Sequence, residues 1–226
     1  MAKPKRRRRF ALPPQSKRDY RAGGLKRNVA GDTALDNRRS RWVRLKSMHK
    51  DMAQHWQEAV DRGMTEGAVL LLADVDAQRL HVAEAGEATR EFAISTSDKG
   101  LNARAHSHGT PPGFHRVIER YGNDASLGAV FESRETTGRV VPPADWRGAS
   151  SEDLILTRIL RLEGLEPGVN RGGDVDSCQR YIYLHGTNHE DRIGQPASAG
   201  CIRMRNMDIR DLFDLTENRD TWCWIG

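Results

Sequence analysis

A histidine and a cysteine 16 positions apart have the types and spacing that suit covalent catalysis. His185 closes an apolar run, and Cys201 follows Gly200 in a short polar segment. A cysteine attacks as the thiolate, and a free thiol with a pKa of about 8.5 is mostly protonated at neutral pH, so it needs a base or a positive neighbour. A loop between adjacent strand ends would bring the imidazole to the thiol, which predicts a thiol nucleophile with a histidine base.

Gly200 adds to this prediction, because a glycine before the nucleophile lets the chain turn sharply. It also leaves room for a substrate carbonyl beside main-chain N–H groups that would hold a developing oxyanion. Residue type and spacing alone leave a bland alternative open, since cysteine is often a small buried hydrophobic residue and a lone histidine is often structural.

The elements that must position this pair are mostly short strands. Alternation at Leu80, Val82, Phe92 and Ile94 predicts strands, and residues 181–184 form an apolar run that leads directly into His185. The sequence therefore predicts a mainly β fold with a few short helices.

Three helices are predicted. Residues 41–64 carry apolar side chains every three or four positions, which indicates one amphipathic helix. Residues 150–164 begin with possible serine caps and acidic residues and end at a glycine, which favours a second helix. A third begins near Asn206, with Ile209, Leu212 and Phe213 facing inward.

Charge divides the chain unevenly. Residues 1–50 hold 17 Lys and Arg against 3 Asp and Glu, and the remainder holds 19 against 28. Residues 1–40 show no apolar period, so we expect a basic disordered tail. We expect a solvated tail rather than a nucleic-acid-binding one, and contact with an anionic surface stays open.

Hydropathy, the N-terminal residues and the cysteine spacing exclude only a few classes of protein. No run of about 20 apolar residues predicts a membrane span, and no apolar core follows the basic N-terminus as an export signal would require. The three cysteines, Cys178, Cys201 and Cys223, show no zinc-like spacing.

The string from His185 to Met204 resembles the L,D-transpeptidase catalytic domain (YkuD) family, whose signature is His-Gly, a loop, then Ser/Thr-His-Gly-Cys-apolar-Arg/Asn. Further blocks resemble the family in order over about residues 67–216: residues 76–80, 94–97, 110–115, 133–134 and 176–183. Several ordered blocks are a far more specific signal than one motif. The predicted organisation is a tail at 1–40, a helix at 41–64 and an L,D-transpeptidase-like catalytic domain at 65–226.

The resemblance implies a β-sandwich and a reaction on the stem peptides of bacterial peptidoglycan, within cell-wall biogenesis. The cysteine is acylated by a tetrapeptide stem, and an amine of a second stem resolves the thioester to give a 3-3 cross-link. The resemblance implies no metal and no cofactor. It also implies a cell-envelope location, although no export signal is readable and a cytoplasmic location stays an alternative.

The resemblance also assigns roles around the pair. Cys201 is the nucleophile and His185 its base; a carbonyl of Gly186 or Thr187 orients the imidazole; Gly200 and Cys201 offer N–H groups to the oxyanion. Arg203 binds a substrate carboxylate or, equally, forms an ion pair with an acidic neighbour such as Asp208. Ser198 lines the site or shapes a turn.

One departure and several decoys qualify these assignments. Ala199 stands where the family usually has histidine. His108 belongs to a second His-Gly-Thr string, but we expect it, with His106 and His115, to be a groove or surface residue. Cys178 and Cys223 are expected to be structural.

Three alternatives to the transpeptidase remain open at this level. Water as acceptor would make the protein a thiol carboxypeptidase or amidase on the same stems. A protein that has lost turnover would be a peptidoglycan-binding module. Salt-dependent DNA binding that is lost on deletion of residues 1–40 would indicate a nucleic-acid-binding protein.

Overall fold

Ten strands form one hydrogen-bonded β-sheet in the part of the chain that the structure describes. The structure is a computed structural model, and it describes residues 52–148 and 151–226. The predicted tail at 1–40 and the first part of the predicted helix at 41–64 lie outside these residues. In chain order the strands are β1 (Val69–Asp74), β2 (Arg79–Glu84), β3 (Glu87–Ser95), β4 (Gly113–Tyr121), β5 (Ala129–Glu132), β6 (Glu135–Val140), β7 (Ile155–Gly164), β8 (Tyr183–Thr187), β9 (Ile202–Met204) and β10 (Thr221–Ile225).

The sheet curves so that two strands far apart in its order are also hydrogen-bonded to each other. Its order is β4-β10-β1-β2-β3-β9-β8-β7-β5-β6, and β4 also pairs with β7. Most pairs are antiparallel, but β1 pairs in parallel with β10 and β8 in parallel with β9. The mainly β fold with a few short helices that the sequence predicts is confirmed.

Two longer helices accompany the sheet. Residues 52–61 form helix α1, which packs through Met52 and Ala59 against the apolar face that includes Leu70, Phe114 and Trp222. Helix α2 (Asn206–Leu215) buries Ile209, Leu212 and Phe213, as predicted. Three short 3-10 turns complete the helical content of the described residues: Pro143–Asp145, Gly173–Val175 and Glu190–Arg192. None of the described helices is long and apolar enough to cross a membrane.

The main hydrophobic core is formed by most strands of the sheet together with helix α2. The core takes side chains from β1 to β4, from β7 to β10 and from α2. On β8 and β9 it takes Leu184, Ile202 and Met204, all fully buried. Because side chains alternate along a strand, the intervening residues of β8 and β9 face the other side.

The predicted helix over 150–164 is wrong, because residues 155–164 form strand β7. Ile155, Ile159 and Leu162 mimic helical spacing because a bulge between Leu156 and Ile159 shifts the alternation. Thr157 occupies this bulge with a φ of 72°. The strand pairs on both sides and is buried on both faces, so it appears in the sequence as a nearly continuous apolar run, which periodicity cannot distinguish from a helix.

Candidate active site

Strand pairing places the histidine next to the strand that follows the cysteine. In the parallel pair of β8 and β9, His185 lies opposite Arg203, and Leu184 opposite Ile202. Cys201 directly precedes Ile202, the first residue of β9, and alternation along β8 puts Tyr183 and His185 on one face. Cys201 also packs against the cluster around Tyr183, which lies on this face.

The imidazole of His185 is buried and held in one tautomer. Its Nδ1 lies 2.7 Å from the carbonyl oxygen of Gly186, so Nδ1–H donates and Nε2 keeps its lone pair. Burial lowers the pKa of His185 to about 4, against the smaller opposing effect of the Gly186 bond. The ring is therefore neutral at pH 7 and able to accept a proton at Nε2.

Cys201 is partly exposed as a residue, but its sulfur is largely shielded from water, and the thiol is protonated at neutral pH. Its Sγ donates to the carbonyl oxygen of Tyr181 at 3.5 Å. Burial raises the pKa of Cys201 to about 11, although a main-chain bond from Tyr183 and the positive charges of Arg203 and Arg180 act in the opposite direction. A neutral thiol beside a neutral imidazole calls for base-assisted attack, because the thiolate is scarce at rest.

A tight loop presents this thiol. Gly200 has a φ of +126°, a conformation that side chains rarely adopt, and a Cβ there would lie 3.2 Å from the Gly109 carbonyl oxygen. The Ser198 hydroxyl donates to the Cys201 carbonyl at 2.6 Å and accepts from the Gly200 N–H at 3.2 Å. In this geometry Ser198 shapes the turn. The N–H of Gly200 is already engaged, which leaves that of Cys201 as the candidate oxyanion donor.

Gly186 and Thr187 fix the strand that carries the base. A Cβ on Gly186 would run into Asn206 Oδ1 and lie 2.7 Å from the Leu156 carbonyl oxygen. The Thr187 carbonyl accepts from Asn206 Nδ2 at 2.8 Å, so it does not orient the imidazole. Asn206 also accepts from Thr157 at 2.7 Å, which joins α2, the β7 bulge and β8 behind the base.

The buried guanidinium of Arg203 forms an ion pair with the exposed carboxylate of Asp153 and donates to the Ala197 carbonyl at 3.1 Å. Asp208, the partner that the sequence suggested, instead lies 3.8 Å from Arg205. With its side chain 6% exposed, Arg203 is poorly placed to reach a substrate carboxylate. Asp153 was hidden from the sequence analysis because it fell at the start of the wrongly predicted helix.

Arg180 is a further residue that residue-type reasoning did not single out. Its guanidinium donates to the carbonyls of Asn102, Ala103 and Gly109 at 2.7 to 3.0 Å, which ties the 100–110 loop to the segment before β8. It also interacts electrostatically with Cys201. Its position directly before the apolar run of β8 was the available signal.

Expectations from the sequence also concern three further histidines and the other two cysteines. His106 and His108 are exposed, as expected. His115 is fully buried between Gly113 and Ser177, so its assignment to the groove or surface is wrong. Cys223 is buried in β10, and Cys178 Sγ lies 3.1 Å from Arg161 Nη2. The described residues hold no cluster of metal-ligating side chains.

A mainly β domain that carries a cysteine thiol and a histidine on one face belongs to the class of candidate thiol enzymes. The chain belongs to the L,D-transpeptidase catalytic domain (YkuD) family, whose model matches residues 68–225. No curated protein matches the chain in sequence.

Several solved L,D-transpeptidases are similar to the chain. The enzyme from Mycobacterium smegmatis is 20% identical with a TM-score of 0.40, over 70% of this chain and 58% of that one. L,D-transpeptidase 3 from Mycobacterium tuberculosis, solved with a faropenem-derived adduct, is 12% identical with a TM-score of 0.42, over 70% and 60%. The enzyme from Stackebrandtia nassauensis is 13% identical with a TM-score of 0.40, over 73% and 59%. The chain thus spans about three fifths of the length of these solved chains.

Proposed function

We propose that this domain is a peptidoglycan L,D-transpeptidase in which Cys201 is acylated by a tetrapeptide stem and an amine resolves the thioester. The proposal is supported above all by the pairing of β8 with β9 and the packing of Cys201 against the Tyr183 cluster, with a neutral imidazole at His185 and a protonated thiol at Cys201. Family membership supports the substrate class.

The first half-reaction forms the thioester. His185 Nε2 takes the proton from Cys201 Sγ as the sulfur attacks the donor carbonyl carbon, and the oxyanion that develops faces the Cys201 N–H. When the carbonyl re-forms, the C–N bond breaks and His185 passes its proton to the departing amine of the terminal D-residue. The Gly186 carbonyl engages Nδ1–H, which leaves the Nε2 lone pair for both transfers.

The second half-reaction regenerates the thiol. An acceptor amine gives a proton to His185 Nε2 as its nitrogen attacks the thioester, and the C–S bond then breaks with return of the proton to sulfur. Water in place of the amine gives a free acid, which is carboxypeptidase activity. Ala199 is exposed beside the nucleophile and leaves the His185 base in place.

We also propose a cell-envelope location, since that is where this substrate is found. The support is the family membership. The role of the basic residues 1–40 stays a prediction.

Incubation with tetrapeptide stems tests the reaction. Wild-type protein should gain the mass of the acyl tripeptide on Cys201 and then release a cross-linked dimer of two stem peptides. Cys201→Ala should neither gain this mass nor produce the peptide dimer. Cys178→Ala is the matched control, because this second partly exposed cysteine lies outside the proposed chemistry. Equal product from wild type and Cys201→Ala would refute the mechanism, and hydrolysed tripeptide without dimer would identify water as the acceptor.

A further inference from the structure

Arg134 stands at the tip of the hairpin formed by β5 and β6. Strands β5 and β6 pair Glu132 with Glu135, which leaves Ser133 and Arg134 as a two-residue turn. Both have positive φ, 50° and 74°, where Asn-Gly would be the relaxed choice. A non-glycine residue held in this conformation stores strain, and such strain is concentrated at binding and catalytic sites.

The guanidinium reaches the residues that contact the thiol. Arg134 Nη1 lies 3.4 Å from the Tyr183 hydroxyl, and its Cζ lies 5.2 Å from the centre of the Tyr181 ring. The carbonyl of Tyr181 accepts from Cys201 Sγ. Tyr183 feels the charge of both Arg134 and Cys201. Arg134 therefore lies over the two tyrosines that border the nucleophile.

The other arginines of this face are already engaged. Arg203 is paired with Asp153, and Arg180 donates to three carbonyls. Arg161 donates to Glu119 at 2.6 Å and to the Cys178 carbonyl at 3.2 Å. Arg134 has one long bond to a neutral hydroxyl, so most of its five donors are available.

We propose that Arg134, with the tyrosine platform of Tyr181 and Tyr183, binds a carboxylate of the donor peptide. A guanidinium fork matches a carboxylate in two parallel hydrogen bonds. Glu119, the acidic member of this cluster, is bonded to Arg161 and to the Tyr121 hydroxyl, so the cluster keeps a net positive charge. This inference rests on the proposed function, because it concerns the donor of that reaction.

A stem peptide offers a carboxylate at two places near the scissile bond. One is the α-carboxylate of the departing terminal residue, and the other is the side-chain carboxylate of a diamino acid at the third position. The chemistry is the same, so amidation of each in turn distinguishes them.

The test is the rate of Cys201 acylation, followed by intact mass against peptide concentration. Wild type, Arg134→Gln and Arg134→Lys are compared on the unmodified stem and on the two amidated stems. Arg139→Gln is the matched control, because Arg139 is an exposed arginine of β6 in the same hairpin. Salt dependence is recorded alongside, since an exposed charge contact weakens as salt rises.

We expect Arg134→Gln to lower kcat/KM for the unmodified stem by about fivefold, mainly through KM, as suits one exposed charge contact. The variant should no longer distinguish the acid from the amide at one of the two positions, Arg134→Lys should recover part of the loss, and Arg139→Gln should match wild type. Equal slowing of Arg134→Gln on acid and amide stems would overturn the inference and leave the proposed function standing. Labelling of wild-type Cys201 by a carbapenem but by no stem would instead reject the proposed donor, and this inference with it.

Discussion

At the scale of single residues, the pKa values of Cys201 and His185 depend in part on the ion pair between Arg203 and Asp153. Arg203 lowers the pKa of both Cys201 and His185, and Asp153 raises both. The effect of Arg203 is the larger of the two on both groups, and Asp153 opposes it.

Asp153→Asn tests this balance. Removal of the carboxylate leaves the positive charge of Arg203 unopposed, so the pKa of Cys201 should fall and the thiolate fraction at pH 8 should rise. Alkylation of Cys201 by iodoacetamide, followed by mass spectrometry, should become roughly two- to fivefold faster, as a shift of about half a pKa unit implies.

Asp191→Asn is the control for this change, because Asp191 is an exposed carboxylate in the segment between His185 and Cys201. Its alkylation rate should equal that of wild type. A slower or unchanged rate in Asp153→Asn would contradict the electrostatic role of the pair.

At the scale of elements, the glycine after the base sets the separation of strand β8 from its neighbours. A side chain at Gly186 would collide with Asn206 on one side and with the β7 main chain on the other. The close approach brings the start of α2 directly behind the base. The position of His185 is therefore set by the packing of two elements against a residue that has no side chain.

Gly186→Ala should destabilise the domain by about 2–3 kcal/mol, the usual cost of overpacking, and should slow acylation further by displacing His185. Gly194→Ala provides the comparison, because its Cβ would meet nothing within 4 Å and only its φ of +97° is unfavourable. That variant should lose about 1 kcal/mol and keep its acylation rate. Urea unfolding and thioester formation measure the two effects, and equal losses in both variants would exclude the steric explanation.

How far the sequence predicts these elements depends on whether a signal is local. Alternation on β2 and β3 and the apolar face of α2 are local, so those predictions agree with the structure. Strand β7 is paired on both sides and carries a bulge, so its local pattern imitates a helix. The Arg203–Asp153 pair spans 50 positions and arises only from the tertiary fold.

At the scale of the whole molecule, two buried histidines tie stability to pH. Burial lowers the pKa of His185 and of His115 to about 4, from an ordinary value of 6.5. His185 lies on β8, and His115 lies on β4 between the Gly113 carbonyl and the Ser177 hydroxyl. Both rings must stay neutral in the folded state, but both are protonated in the unfolded chain below pH 6.5.

The unfolded state therefore binds more protons between pH 6.5 and pH 4, so the free energy of unfolding falls as pH drops through this window. From pH 7 to pH 5 each histidine should remove about 2 kcal/mol, and this range lies above that in which carboxylates titrate. Urea unfolding at the two pH values measures the loss. His115→Gln should reduce the loss by about 2 kcal/mol whatever its effect at pH 7, because His185 still contributes. A wild-type protein equally stable at both values would show that the rings are charged when folded, and a charged His185 could not accept the Cys201 proton.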